Sequence, residues 1–246
     1  MNIALVTGAS SGLGWEFARQ IDSDFSLDEI WLVARRKDRL HELASGLKTA
    51  AKVFPLDLRE PECLQYLGDG LAENQPHLRL LVNNAGFGKR GRFSDIPLAP
   101  QLDMIDLNIR ALVHLTYLGL EYMDAGDRII QVASSAGFLP MGNFATYSST
   151  KAFIINFSTA LGAELHERGI TVTAVCPGPV DTEFQSVAGS KDRPQLINAT
   201  AQDVVTKAMQ DLKRSRSFSI YGFIVKLVPV LARIAPRTWL AKLNIE

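Results

Sequence analysis

The chain has 246 residues, 47% of them apolar and 21% charged, with 26 basic and 26 acidic side chains. This is the composition of an ordinary globular protein: it favours one well-filled α/β domain over residues 1–246 and argues against disorder or a nucleic-acid partner. No apolar run reaches the ~18 residues that span a bilayer, and Met1 runs straight into a strand-like Ile3-Ala-Leu-Val6, so a cytoplasmic protein is expected.

Short apolar runs alternate with helix-period segments, the pattern of βαβ units and a parallel sheet. Strands are expected near 2–7, 29–34, 51–56, 78–83, 127–133, 170–175 and 217–221, and helices at 12–22, 38–48, 61–73, 99–124, 146–168 and 201–213. The first strand ends in Thr7-Gly-Ala-Ser-Ser-Gly-Leu-Gly14. Glycines at 8, 12 and 14 permit a tight turn and close approach to a phosphate chain, and the following helix N-terminus offers free N–H groups to the anion.

The second strand ends in Leu32-Val-Ala-Arg35-Arg36, two cations where NAD-binding folds carry an acid for the ribose 2′-OH. A guanidinium matches a phosphate in bidentate geometry, so the pair reads as a 2′-phosphate site and the cofactor as NADP(H), with NAD(H) the alternative. Asp57-Leu58 ends the third strand, where the carboxylate could accept from an adenine amino group or cap the helix beginning at Pro61. Asn83-Asn-Ala-Gly86 ends the fourth, an amide-rich stop able to brace neighbouring strand ends.

The helix near 99–124 carries an apolar stripe at 98, 102, 105, 109 and 112, interrupted by Asn108, a poor interior helix residue. The fifth strand ends in Val132-Ala-Ser134-Ser135-Ala-Gly137, which puts hydroxyls at the carboxyl end of a central strand, where open α/β sheets bind ligands. In the next helix Tyr147 and Lys151 stand four apart and share a face. A neighbouring ammonium would lower the phenol's pKa toward working pH. The stripe Phe153, Phe157, Leu161, Leu165 is read as core, and Cys63 and Cys176 as buried reduced thiols.

Taken together, Thr7-Gly-x-x-x-Gly-x-Gly14, Asn83-Asn-Ala-Gly86, Asn108, a serine, Tyr147-x-x-x-Lys151 and Pro177-Gly-Pro-Val-Asp-Thr182 resemble the short-chain dehydrogenase/reductase family over almost the whole chain. The family's catalytic serine lies thirteen residues before the tyrosine and three before a glycine; Ser134 meets both spacings and Ser135 neither. The resemblance implies a single Rossmann-like, doubly wound α/β domain, with a mostly parallel seven-stranded sheet and helices on both faces.

It further implies that Tyr147 exchanges a proton with the substrate oxygen, Ser134 hydrogen-bonds that oxygen, Lys151 holds the nicotinamide ribose, and Asn108 holds a water relaying protons to Lys151. Cofactor contacts are expected from Gly8, Ser10, Ser11, Gly12, Leu13, Gly14, Arg35, Arg36, Asp57, Leu58, Asn84, Ala85, Gly86, Pro177, Gly178, Val180 and Thr182. The substrate pocket would be lined by Phe87, Leu139, Pro140, Met141, Val180 and Phe184, which points to a carbonyl or secondary alcohol with a hydrophobic body, and no metal ligand is expected. NADP-preferring relatives often carry a basic residue where this chain has Ser11, which leaves phosphate recognition to Arg35 and Arg36. The family's enoyl reductases separate tyrosine and lysine by six residues, and its sugar epimerases are much longer.

Irregular residues 177–200 read as a mobile substrate loop, and 222–246 as an amphipathic extension. From Lys207 to Glu246 eight basic residues meet two acids, so this tail is +6 and the remainder −6. The segment 222–242 is either a closing helix over the pocket or another subunit, which is the simpler reading, or a basic helix lying on an anionic membrane. A homodimer or homotetramer is expected through the Asn108 and Tyr147 helices. The leading reading is an NADP(H)-dependent carbonyl reductase or alcohol dehydrogenase; the alternatives are a reductase of carrier-bound 3-oxoacyl groups and a non-catalytic NADP-sensing protein.

Overall fold

The computed structural model describes residues 1–189 and 199–242. Its seven strands are β1 (Asn2–Thr7), β2 (Glu29–Ala34), β3 (Ala50–Pro55), β4 (His77–Asn83), β5 (Arg128–Val132), β6 (Thr171–Val175) and β7 (Phe218–Ser219). They form one sheet in the order β3-β2-β1-β4-β5-β6-β7, every neighbouring pair parallel. The order reverses between β1 and β4, and a ligand crevice is expected outside the strand ends at that point.

Side chains along each strand alternate between two cores because successive Cβ atoms point to opposite faces. Ala4, Val6, Ile30, Leu32, Leu80 and Val82 meet helices α1 (Gly12–Asp24), α2 (Lys37–Ser45) and α8 (Ala201–Lys213) on one face. Ile3, Leu5, Trp31, Val33, Leu81 and Val172 meet α3 (Pro61–Asn74), α5 (Ala111–Gly119) and α6 (Ala145–Glu164) on the other. Burial on both faces is why these strands read as unbroken apolar runs.

Several local expectations change. The long helix before β5 is broken: α4 (Leu98–Ile105) passes into a π-helical turn, Asp106–Arg110, centred on Asn108, before α5 resumes and a 3₁₀ turn, Leu120–Tyr122, ends it. Single π turns of this kind gather at functional sites. The apolar stripe of this helix is divided, since Leu98, Leu102 and Ile105 are exposed whereas Leu112 is buried. The α6 stripe is divided as well: Leu161 and Leu165 are buried, whereas Phe153 is exposed and stacks on Phe157. Both stripes therefore contribute apolar surface that this chain leaves uncovered. Cys176 is buried but Cys63 is only half-buried, and β7 holds two residues, not five.

Within 177–200, the structure places a parallel bridge from Val180 to Ala199 and a short helix α7 (Phe184–Val187); residues 190–198 lie outside the described part. The tail folds as α9 (Phe223–Ile234) and α10 (Arg237–Lys242).

Candidate active site

At the carboxyl ends of β1 and β4 the backbone is knotted by side chains. The Thr7 hydroxyl accepts from the backbone N–H groups of Asn84 (2.9 Å) and Ala85 (3.0 Å) and donates to the Val82 carbonyl. The Asn84 amide donates to the Thr7 carbonyl at 2.9 Å and the Gly8 carbonyl at 3.3 Å. So the Asn-Asn-Ala-Gly stop braces the phosphate turn, as expected. Gly8 sits at φ +66°, and a Cβ there would lie 2.6 Å from the Asn84 amide nitrogen, so the turn requires glycine on both counts. A Cβ on Gly14 would lie 2.3 Å from the Gly8 carbonyl oxygen, which fixes the close pass of α1 beneath the turn.

The turn opens into a cleft of about 770 Å³ that runs from the ends of β1–β3 across to α9. Arg35 and Arg36 stand at its outer end in different states. Arg35 is exposed and only loosely paired, 3.9 Å from Asp57. Arg36 donates to the Ser10 hydroxyl (3.2 Å) and carbonyl (3.3 Å), and pairs with Glu183 at 2.9 Å across the cleft. Asp57 is gripped by Arg59, whose guanidinium reaches it at 2.6 Å and holds its carboxyl below the usual range. It accepts from the Arg59 backbone N–H rather than capping α3, whose N-cap is Glu60. The capping role is therefore withdrawn, because a two-residue loop back to Arg59 outcompetes the more distant helix.

Ser134, Tyr147 and Lys151 meet where β5 ends. After β5 the chain turns through Ser135–Phe138 against α6, so tightly that a Cβ on Gly137 would lie 2.6 Å from the Lys151 carbonyl carbon. This approach brings the Ser134 side chain to the Tyr147 hydroxyl as a hydrogen-bond partner. Ser134 Oγ accepts from the Ala136 N–H at 3.1 Å, which leaves its own proton for the tyrosine side of the site. Lys151 Nζ donates to the Val132 carbonyl at 2.8 Å and lies 5.7 Å from the Tyr147 ring centroid.

The electrostatics differ from the sequence-based expectation in one respect. Burial pushes the Tyr147 phenol up to about 12, and the Ser134 hydrogen bond only partly opposes it. Burial likewise pushes the Lys151 ammonium down to about 8 and the neighbouring Cys176 thiol up to about 12. The lysine does not lower the phenol's pKa here: its ammonium is turned to the Val132 carbonyl, and removal from water outweighs the charge.

Asn108, in the π turn, is buried and its amide is fully engaged. Oδ1 accepts from the Phe87 N–H at 3.1 Å, and Nδ2 donates to the Phe87 carbonyl and the Thr150 hydroxyl, both at 3.0 Å. It clamps the Phe87 backbone to the tyrosine helix. A Cβ on Gly86 would fall 2.9 Å from Asn108 Oδ1 and 3.5 Å from Lys151 Nζ, so only glycine keeps this junction open.

The cleft brings together every expected cofactor and substrate residue except Gly14 and Pro140, with Asn108 standing just behind its wall. Phe87, Leu139, Met141 and Phe184 line the inner end, and the Phe184 ring is 5.5 Å from Tyr147. Sequence reasoning missed Phe144 and Arg90, whereas the α9 residues Ile224, Val225 and Val228 line the cleft in the segment expected as a closing helix over the pocket. Phe144 stacks on Tyr147 at 4.3 Å, and its position three residues before the tyrosine was a usable signal. Arg90, whose guanidinium lies 4.6 Å over the Phe144 ring, gave none.

A glycine-rich turn at a helix N-terminus, two arginines at the neighbouring strand end, and a long cleft ending at a buried tyrosine and lysine fit a nicotinamide dinucleotide phosphate. The comparisons agree. An uncharacterized oxidoreductase of Staphylococcus epidermidis is 32% identical over 84% of this chain and 90% of its own. Sulfoacetaldehyde reductase 2 of Chromohalobacter salexigens is 37% identical, over 78% of each chain. Among solved structures, a short-chain dehydrogenase from Sphingobium yanoikuyae in complex with NADPH superposes with a TM-score of 0.81 at 29% identity, covering 89% of this chain and 87% of that one. The bulky-bulky ketone specific alcohol dehydrogenase from Comamonas testosteroni gives 0.78 at 25% identity, covering 100% and 99%. The family described as short chain dehydrogenase matches residues 2–193, and the chain belongs to it: it is an NAD(P)-dependent oxidoreductase acting between CH–OH and C=O groups.

Proposed function

We propose that the protein is an NADP(H)-dependent carbonyl reductase, working in reverse as an alcohol dehydrogenase, on a ketone or secondary alcohol with an apolar body. The observation that carries this reading is the meeting of Ser134, Tyr147 and Lys151 at the inner end of a cleft walled by Phe87, Leu139, Met141, Phe144 and Phe184. Such walls reward apolar area and leave orientation to a few polar groups. Arg35 and Arg36, with no acid at the end of β2, support the 2′-phosphorylated cofactor.

The dinucleotide, when bound, supplies or accepts the hydride. Tyr147, kept protonated by burial, gives its proton to the carbonyl oxygen in reduction and recovers it in oxidation. Ser134 donates to the same oxygen; removing one such donor costs roughly 10²–10³ in turnover. Lys151, anchored by the Val132 carbonyl, presents its remaining protons to the nicotinamide ribose side of the cleft. Because the Asn108 amide is occupied, a proton-relaying water would rest on its main-chain carbonyl, and the side chain acts as a positioning residue.

Consumption of NADPH with a panel of apolar ketones tests this reading. Tyr147→Phe should cut turnover by about three orders of magnitude while NADPH affinity stays within about twofold; surviving turnover would overturn the proton-donor assignment. Arg90 favours a second reading. A cation at the inner end of the cleft suits a short aldehyde with an anionic group, the kind of substrate named for the Chromohalobacter relative, so anionic aldehydes belong in the same panel. We further propose a homodimer or homotetramer through the exposed Leu98, Leu102, Ile105 and Phe153, testable by light scattering.

A further inference from the structure

Helix α9 packs on the body through one face only. Val225 is buried, and it crosses Gly178 so closely that a Cβ there would lie 2.8 Å from it. Val228, Pro229 and Ala232 share that side and are half-buried. At about 100° per residue, Val230, Phe223, Ile234, Leu227, Leu231 and Ile224 fall within an arc of roughly 120° on the opposite side. All six are exposed, Phe223 and Ile234 by nearly four-fifths. No polar residue interrupts that arc. Lys226 and Arg233 flank one border of it, and α10 adds exposed Trp239, Arg237 and Lys242.

The charge of the segment says what could cover this face. From Leu212 to Ile245 the sequence has seven Lys or Arg and no acid. Lys213 and Arg216 are paired with Asp24 and Asp211, but the four cations of α9 and α10 make no ion pair among the described residues. A second copy docking by the same face would bring like charges together. An apolar arc bordered by cations, with a Trp beside it, is complementary to the headgroup boundary of an anionic bilayer. Among the described residues no helix is long and apolar enough to cross a membrane, so the contact would be parallel to the surface.

We propose that α9 and α10 dock this protein on an anionic phospholipid surface. The reverse side of α9 carries Val225 and Val228 into the cleft wall, with Ile224 at the edge of the exposed arc reaching the cleft mouth, so docking turns the inner end of the cleft toward the lipid. On the reading of an apolar substrate given above, that is where such a substrate would be concentrated. The binding itself stands apart from that reading and is measured without turnover.

The test is co-sedimentation of the full chain with vesicles of phosphatidylcholine alone and of phosphatidylcholine mixed with phosphatidylglycerol, at low salt. Binding should be roughly tenfold or more tighter to the anionic vesicles and fall as salt is raised. Leu227→Asp with Ile234→Asp should abolish it, and Lys226→Glu with Arg233→Glu should reduce it to the neutral-vesicle level. Unchanged NADPH affinity in both variants shows that they remain folded. Absence of binding to anionic vesicles, or equal binding by the Asp variant, overturns the proposal. So does a particle mass that falls in the Asp variant, since a second copy would then own the face.

Discussion

Burial of Lys151 makes the stability of the cofactor-free protein depend on pH in a way one substitution can isolate. Its ammonium is moved from an ordinary 10.5 to about 8. Between those values the unfolded chain still holds the proton and the folded chain has released it, so stability rises with pH. Below pH 8 the folded protein carries the full cost of the buried charge, about 3 kcal/mol at 1.36 kcal/mol per unit. Lys151→Met carries none of it. The difference in unfolding free energy between wild type and variant should therefore move by about 2 kcal/mol in favour of wild type from pH 7 to pH 9.5. The lost hydrogen bond to Val132 adds an offset independent of pH. Tyr147 titrates higher still and is common to both proteins, so it cancels. Urea unfolding at the two pH values, without dinucleotide, measures the difference. A value that stays flat would refute the claim that removal from water dominates at this site.

Other predictions concern the cofactor end and the fold around the serine. Arg35→Asp places a like charge beside Asp57 and opposes the 2′-phosphate, so NADPH should bind one to two orders of magnitude more weakly in a fluorescence titration, with NADH changed far less; equal losses would make Arg35 a solvated charge. Glu183→Gln frees Arg36 from an exposed ion pair worth at most about 1 kcal/mol, so NADPH should tighten by up to about fivefold, and weaker binding would show that Glu183 holds the cleft open instead. Gly137→Ala forces a methyl into the Lys151 backbone, which no rotamer can relieve. Its urea midpoint should fall by the equivalent of about 1–3 kcal/mol, with turnover falling as Ser134 and Tyr147 separate; an unchanged midpoint would mean that the turn can shift freely.

Much of this protein is written along the chain. Alternating apolar runs announced the strands, because parallel strands buried on both faces leave an unbroken signal, and six of the seven observed strands match their predicted limits within one residue. The candidate site was legible because the proposed chemistry calls for residue types at fixed spacing: glycines at 8, 12 and 14 where backbone passes backbone, and Tyr147 and Lys151 one helical turn apart. Pattern alone misread part of the α6 stripe, where Phe153 is exposed, since periodicity reports that a face is apolar, not that this same chain covers it. It also missed Arg90 and Phe144, which reach the cleft from separate loops. Only the tertiary structure decided that Arg36 is held by Ser10 and Glu183 while Arg35 is loosely paired, that Asp57 belongs to Arg59, and that Asn108 spends its amide on Phe87. It decided as well the direction of the Tyr147 shift, because a pKa follows from how much water the fold removes, and sequence spacing carries no measure of that.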